Sequence, residues 1–281
     1  MIIKKDEPLN KHTTFGIGGI AEIFFIPESK DEALRKISEW QNANVKYYIL
    51  GNGSNLLISD KPITRPVISL SRAFKELTIK GDGHVHAGAS TDIRKMISAS
   101  CKAGFFAPVE LLTIPATIGG AVVMNAGRTS FGVSISDQLV IVEVFNGKDV
   151  VNFTKEQCQF GHRDSFFLKN RNHIIIGAVF KFEHETPDYI QKKREESLEA
   201  GKMKCYRTMK SAGSTFKTCD FRIMHHIRGI KIGDAQLSKT TNCIVNHGNA
   251  KFWQVLLLSQ IAKLFHRFLR KDIGLEYEIW R

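Results

Sequence analysis

VKYYILGNGSNLLI, residues 45–58, decides how the rest of the chain is read. An apolar run ends at Leu50, the small-residue loop GNGSN follows, and a second apolar run begins at Leu56. Gly51 and Gly53 permit positive φ and carry no side chain that would hold a bound group off the backbone. Asn52, Ser54 and Asn55 add short polar arms, so the loop suits a phosphate cradle built from backbone donors. A plain strand-to-strand turn has the same composition. The pattern is neither GxGxxG opening a helix nor GxxxxGK[ST].

Outward from this loop, HTTFGIGGIAEIFFIP (residues 12–27) reads as a glycine turn and a strand. Ser29 with Glu32 forms a capping box for a helix carrying Leu34, Ile37 and Trp40 on one stripe. PVISL, ELTIK and HVHAG read as short strands, and Thr91 is expected to cap a helix ending at Gly104. His84 and His86 share a strand face as a metal pair or as two surface histidines, the latter being the simpler account. QLVIVEVF, the NG turn at 146–147 and DVVNFT form a hairpin. FGHRDSFF (160–167) sets Arg163 among aromatic residues. IPATIGGAVVMNAG (114–127) is a second small-residue stretch, open to tight packing or to a flat ligand.

From Pro187 the composition turns charged, and the helix DYIQKKREESLEAGK reads as a connector with a border near residue 185. Beyond SAGSTFK (211–217), Asn249 is expected to cap a long helix whose Phe252, Val255, Leu256, Phe265, Phe268 and Leu269 face a core. LEYEIW alternates, with Leu275, Tyr277 and Ile279 on one side and Glu276 and Glu278 on the other.

The 281 residues carry a formal charge of +12, with 43% hydrophobic and 24% charged side chains. That balance describes an ordinary soluble protein drawn to anionic ligands. No block of five like charges occurs, which places nucleic acid below small anions. Five scattered cysteines without CxxC spacing fit reduced thiols in a cytosol, with no disulfide framework and no zinc site. No signal-like or membrane-spanning run is read, so a cytoplasmic location without membrane or nucleic-acid partners is expected.

HTTFGIGGIAE, LGNGSNLLI, IPATIGGAVVMNAG, FGHRDSFF, AGSTFK, GDAQLSKTTNCIVN and LEYEIW, in this order and spacing, resemble the UDP-N-acetylenolpyruvoylglucosamine reductase (MurB) family over nearly the whole chain. The short segment before the serine motif resembles its compact subtype, which lacks an inserted substrate loop. The resemblance implies an α+β fold with a two-subdomain FAD-binding region of the PCMH/VAO type at 1–185 (about 1–68 and 69–185). It implies a C-terminal substrate domain at 186–281 whose last strand returns to the active site. It further implies non-covalent FAD, NADPH as hydride donor, and the enolpyruvyl ether of UDP-N-acetylglucosamine as acceptor, in a protein expected to be a monomer serving cell wall synthesis.

Carried over by motif, the resemblance implies that Gly51, Asn52, Gly53, Ser54, Asn55, Gly119, Gly120 and Asn125 would hold FAD, and that Arg163, Ser214 and Glu278 would be the catalytic set. Departures from the family pattern lie at Ala116, residues 127–132, His162 in place of a tyrosine, and Tyr277 where proline is common. A flavin- or nucleotide-sugar-binding relative without turnover is the alternative reading.

Overall fold

Ser29 keeps an extended backbone (φ −136°, ψ 166°) and its hydroxyl accepts the Glu32 N–H at 3.2 Å, so the helix Lys30–Asn42 begins where Ser-x-x-Glu predicts. The second half of the box is displaced by one residue, because the Glu32 carboxylate takes the Glu28 N–H and the amino terminus instead. Ala33, Ile37 and Trp40 bury one face, with Trp40 meeting Phe25 edge-on at 4.9 Å. These elements belong to a computed structural model that describes residues 1–202 and 209–281.

Spatial grouping separates the chain into two interleaved units. One comprises residues 1–3, 25–51 and 67–201; the other comprises 4–24, 52–66 and 202–281. The chain therefore changes unit inside the GNGSN loop, between Gly51 and Asn52, and again at the end of the charged helix. Each unit has its own apolar core.

In the first unit the strands order as Val150–Thr154, Leu139–Phe145, Ile174–Lys181, His84–Gly88 and Leu77–Ile79, every neighbour antiparallel. Val85, Ala87, Val142, Val144, Ala178 and Phe180 bury with Met96 and Ile97 of the helix Ile93–Lys102. The expected hairpin is present, but its loop spans residues 146–149: Phe145 pairs with Val150, and Asn146 Oδ1 accepts the N–H groups of Lys148 and Asp149. Asp92, not Thr91, caps the helix Ile93–Lys102 through the Arg94 N–H, while Thr91 Oγ1 is engaged with the Glu76 carbonyl. His84 pairs with Asp82 and His86 with Glu143.

The helix Pro187–Lys202 is more than a connector. Ser197 is fully buried, donates to the Val109 carbonyl at 3.1 Å and receives the Arg128 guanidinium, so this helix docks on the first unit. Of the cysteines, Cys158 and Cys243 are buried and Cys101 and Cys219 half-buried, all free thiols. Burial pushes the Cys158 thiol up to about 12, which keeps it an unreactive thiol. Cys205 lies outside the described residues.

In the second unit Leu56–Ile58 pairs parallel with Glu278–Trp280, and Phe216–Thr218 pairs antiparallel with Gly274–Leu275. The last segment bends at Glu276 and Tyr277, so LEYEIW is two short strands rather than one alternating strand. Tyr277 and Trp280 are its buried members. Asn249 does not cap the long helix Phe252–Phe268, which starts two residues later than that cap would require; the Asn249 N–H goes to Asp234. Lys251 is the cap residue, its N–H taken by the Gln254 side chain, and the Phe252 N–H goes to Asp60 Oδ2 at 2.8 Å. Val255, Leu258 and Ala262 bury as a core stripe, whereas Phe265, Phe268 and Leu269 face water. Phe268 lies on another face, and Phe265 and Leu269 share the angle of the buried arc but come at the helix's last turn, so helical spacing alone overstated the core. Among the described residues no helix is long and apolar enough to cross a membrane.

Tyr277 fills the position where a proline was noted as usual, and its hydroxyl meets Ser259 Oγ at 2.7 Å in the core. Burial raises its phenol from 10.0 to about 12. The folded state thus favours the neutral ring: its contribution is complete below about pH 10 and is lost as pH climbs towards 12. Tyr277→Phe is expected to cost about 1 kcal/mol at neutral pH from the lost hydrogen bond. In urea titrations it should also flatten the decline of stability through that alkaline window.

Candidate functional site

In the first unit, Thr117 caps the six-residue helix Ile118–Val123 by accepting the Gly120 N–H. Gly51 lies against this threonine, and a Cβ there would fall 2.8 Å from Thr117 Oγ1. Gly119 donates its N–H to the Ala89 carbonyl at 2.9 Å, and a Cβ on it would sit 3.2 Å from Ala89 Cβ. Tight packing therefore accounts for Gly119 by itself.

Asn125 follows in a left-handed conformation, φ 43°. Its Nδ2 donates to the Gly161 carbonyl at 2.9 Å, and its Oδ1 is buried with no hydrogen-bond partner among the described residues. A buried amide oxygen in that state costs free energy until a donor reaches it.

Arg163 is the third residue of the tight turn closed by the Gly161–Asp164 bridge and has φ 52°. A long side chain is uncommon there, and such backbone strain concentrates at sites that need a fixed side-chain direction. Its guanidinium donates to the carbonyls of Asn125 (3.3 Å) and Gly127 (2.6 Å), and Ser165 Oγ donates to Val123 O at 2.6 Å. Residues 123–127 and 161–165 thus grip each other in both directions. Arg163 is half-buried, while His162 beside it is exposed.

In the second unit, five separated motifs form one hydrogen-bonded block. Gly53 has φ 60°, accepts the Thr14 N–H, and sits so close to residue 12 that a Cβ would be 2.0 Å from the His12 carbonyl oxygen. Asn55 Nδ2 donates to Glu276 O at 3.1 Å, and the Asn55 carbonyl accepts the Glu278 N–H at 2.9 Å. Asn52 is exposed and Ser54 half-buried. Gly19 is explained by internal packing, since a Cβ would strike the Lys61 carbonyl oxygen at 2.5 Å.

Ser214 sits half-buried between Gly213, φ 74° with open space around its α-carbon, and the buried hub Thr215. Thr215 O accepts the Glu276 N–H, and Thr215 Oγ1 accepts the Ile244 N–H. Asn242 bonds both backbone groups of Phe216, and Asn246 Nδ2 donates to Phe15 O. Glu278 Oε1 accepts the Trp280 indole N–H at 3.1 Å. Ser214 and Glu278 are thus anchored through adjoining backbone in one unit, and Arg163 is anchored in the other. Thr117, Thr215, Asn242 and Asn246 had not been singled out from the sequence. Asn242 and Asn246 lie inside GDAQLSKTTNCIVN, and membership of that motif was the available signal for them.

Residues 21–151 match the model of an FAD binding domain, a span that includes Gly51 to Asn125. The UDP-N-acetylenolpyruvoylglucosamine reductase of Pseudothermotoga lettingae is 34% identical, with 99% of this chain and 98% of the relative covered. The chain belongs to this family. The reductase of Caldanaerobacter subterraneus is 32% identical over 96% of this chain and 90% of its own. The crystal structure of UDP-N-acetylenolpyruvylglucosamine reductase (MurB) from Thermus caldophilus superposes with a TM-score of 0.81 at 30% identity, covering 100% of this chain and 98% of that one. A glucose dehydrogenase, the grass pollen allergen Phl p 4, shares the fold alone, with TM-score 0.52 at 12% identity over 66% of this chain and 42% of its own. The α+β fold class with an FAD-binding region is therefore that of the family.

Gly53→Ala is expected to be among the more damaging small changes, because the new methyl meets backbone and the residue must keep positive φ. The loss should reach roughly 1–3 kcal/mol in urea unfolding, accompanied by a lower flavin content after purification.

Proposed function

We propose that this chain catalyses the NADPH-dependent, FAD-mediated reduction of the enolpyruvyl ether of UDP-N-acetylglucosamine to UDP-N-acetylmuramate, a step of peptidoglycan synthesis. The observation that carries the reading is likeness to reductases of this name along essentially the whole length of both chains. The residues present suit a flavin. Gly51 and Gly120 keep side chains away from Thr117, and the unmatched Asn125 Oδ1 is an acceptor for a ring N–H of the kind an isoalloxazine offers. Gly51 to Asn55 with Gly119, Gly120 and Asn125 are the residues we assign to FAD. Residues 1–185 are assigned to the flavin-binding region and 186–281 to the substrate region.

Bound FAD supplies the relay of hydride from NADPH to the vinyl carbon of the substrate. Arg163 has a permanent positive charge and a planar fork, so it can hold the substrate carboxylate as negative charge develops on the adjacent carbon. Two backbone carbonyls hold that fork, which limits the reorganisation needed at the moment of reaction. Ser214 is assigned as the proton donor to the carbon bearing the ether oxygen, with Gly213 leaving room for substrate beside it. Glu278 is assigned to the opposite side of the carboxylate, oriented by the Trp280 indole. We also assign the enzyme a cytoplasmic location and a monomeric state.

The test is product analysis. Purified flavin-containing protein given NADPH and the enolpyruvyl ether should yield a product heavier by two hydrogens, in amounts matching the NADPH consumed. NADPH oxidation that ignores the ether would overturn the reading and favour a flavin protein without this turnover.

A further inference from the structure

The long helix Phe252–Phe268 carries two apolar faces, and only one meets a core. Trp253, Leu257, Leu264 and Phe268 recur on the other face, with Ile261 half-buried beside them. Their exposure is large for apolar side chains: 55% for Trp253, 66% for Leu264 and 83% for Phe268. The stripe runs the length of the helix, well beyond the scattered exposure that needs no explanation.

Charge decides what this face fits. Residues 251–271 contain Lys251, Lys263, Arg267, Arg270 and Lys271 and no aspartate or glutamate. All five cations are exposed, and at 100° per residue Lys263 and Arg267 fall along one border of the stripe. The stripe has an aromatic ring at each end, Trp253 and Phe268. A second copy docked by twofold symmetry would set five cations against five, so self-association is disfavoured by the same charges. An apolar ridge bordered by lysine and arginine with long stems is the pattern of a helix that lies in a lipid interface, its cations reaching acidic headgroups.

We propose that the exposed face of Phe252–Phe268 docks the protein reversibly, in the plane of the interface, on a membrane rich in anionic phospholipid. The sequence reading had expected no membrane partner. None of the residues on this face is among those assigned to flavin, substrate or catalysis.

Flotation of the flavin-loaded protein with phosphatidylcholine vesicles, with and without phosphatidylglycerol, tests this. Recovery with the anionic vesicles at low salt, falling as salt is raised, is the expected result. The emission of Trp253 should shift to the blue on binding, because Trp40 and Trp280 are already buried. Leu264→Ser with Phe268→Ser should lower partitioning on the order of tenfold or more, with flavin content and soluble turnover unchanged. Lys263→Ser with Arg267→Ser should reduce the salt dependence. Three results would overturn the proposal: no recovery with anionic vesicles at low salt, equal recovery with neutral ones, or wild-type partitioning by the Leu264/Phe268 variant. A dimer dissolved by those two substitutions, with no vesicle binding, would overturn it in favour of a second copy.

Discussion

Ser214→Ala is expected to leave reduction of the bound flavin by NADPH nearly unchanged while slowing its reoxidation by the enolpyruvyl substrate on the order of 10²–10⁴-fold. The asymmetry follows from the role assigned. A hydroxyl that delivers a proton to the substrate carbon has no part in the NADPH half of the cycle. Among the described residues the Ser214 hydroxyl makes no hydrogen bond that its removal would break, and its neighbour Thr215 holds the strands through its own hydroxyl and carbonyl. Anaerobic stopped-flow measurement of the two half-reactions reads the effect. Equal slowing of both would mean that the serine shapes the site without serving as the acid.

Arg163→Lys should lower turnover on the order of 10²-fold or more with the flavin retained, because a single ammonium cannot replace a fork that faces a carboxylate. The same change removes the paired grip on the Asn125 and Gly127 carbonyls, so a modest loss of stability is also expected. Steady-state kinetics per bound flavin, set beside urea unfolding, separates the two effects. Unchanged kcat in a merely destabilised protein would make Arg163 a structural clasp only.

Local features were the most legible in the sequence. Apolar runs became strands, Ser29 capped its helix, and the hairpin around Asn146 formed with a longer loop. These depend on neighbours within a few residues. Helix starts with competing polar groups were misplaced: Thr91 Oγ1 is engaged by the Glu76 carbonyl and leaves the cap to Asp92, and the long helix starts two residues later than a cap at Asn249 would place it, with Lys251 as its cap. Phe265, Phe268 and Leu269 were expected in the core and face water, because apolar spacing reports amphipathicity and not what covers it. The interleaving of the two units was hidden because bonds such as Asn55 to Glu276 join residues more than two hundred positions apart. The motif residues were individually visible as site candidates. The conformations that give them purpose, φ 52° at Arg163 and the half-satisfied amide of Asn125, were not, since both arise from the grip between 123–127 and 161–165.

The most direct test of the central claim is a visible absorption spectrum of the purified protein during sequential anaerobic additions. The account predicts an oxidised flavin spectrum that bleaches with NADPH and returns with the enolpyruvyl ether of UDP-N-acetylglucosamine, without oxygen. Protein that remains colourless with added FAD, or a bleached spectrum that the ether fails to restore, would contradict it.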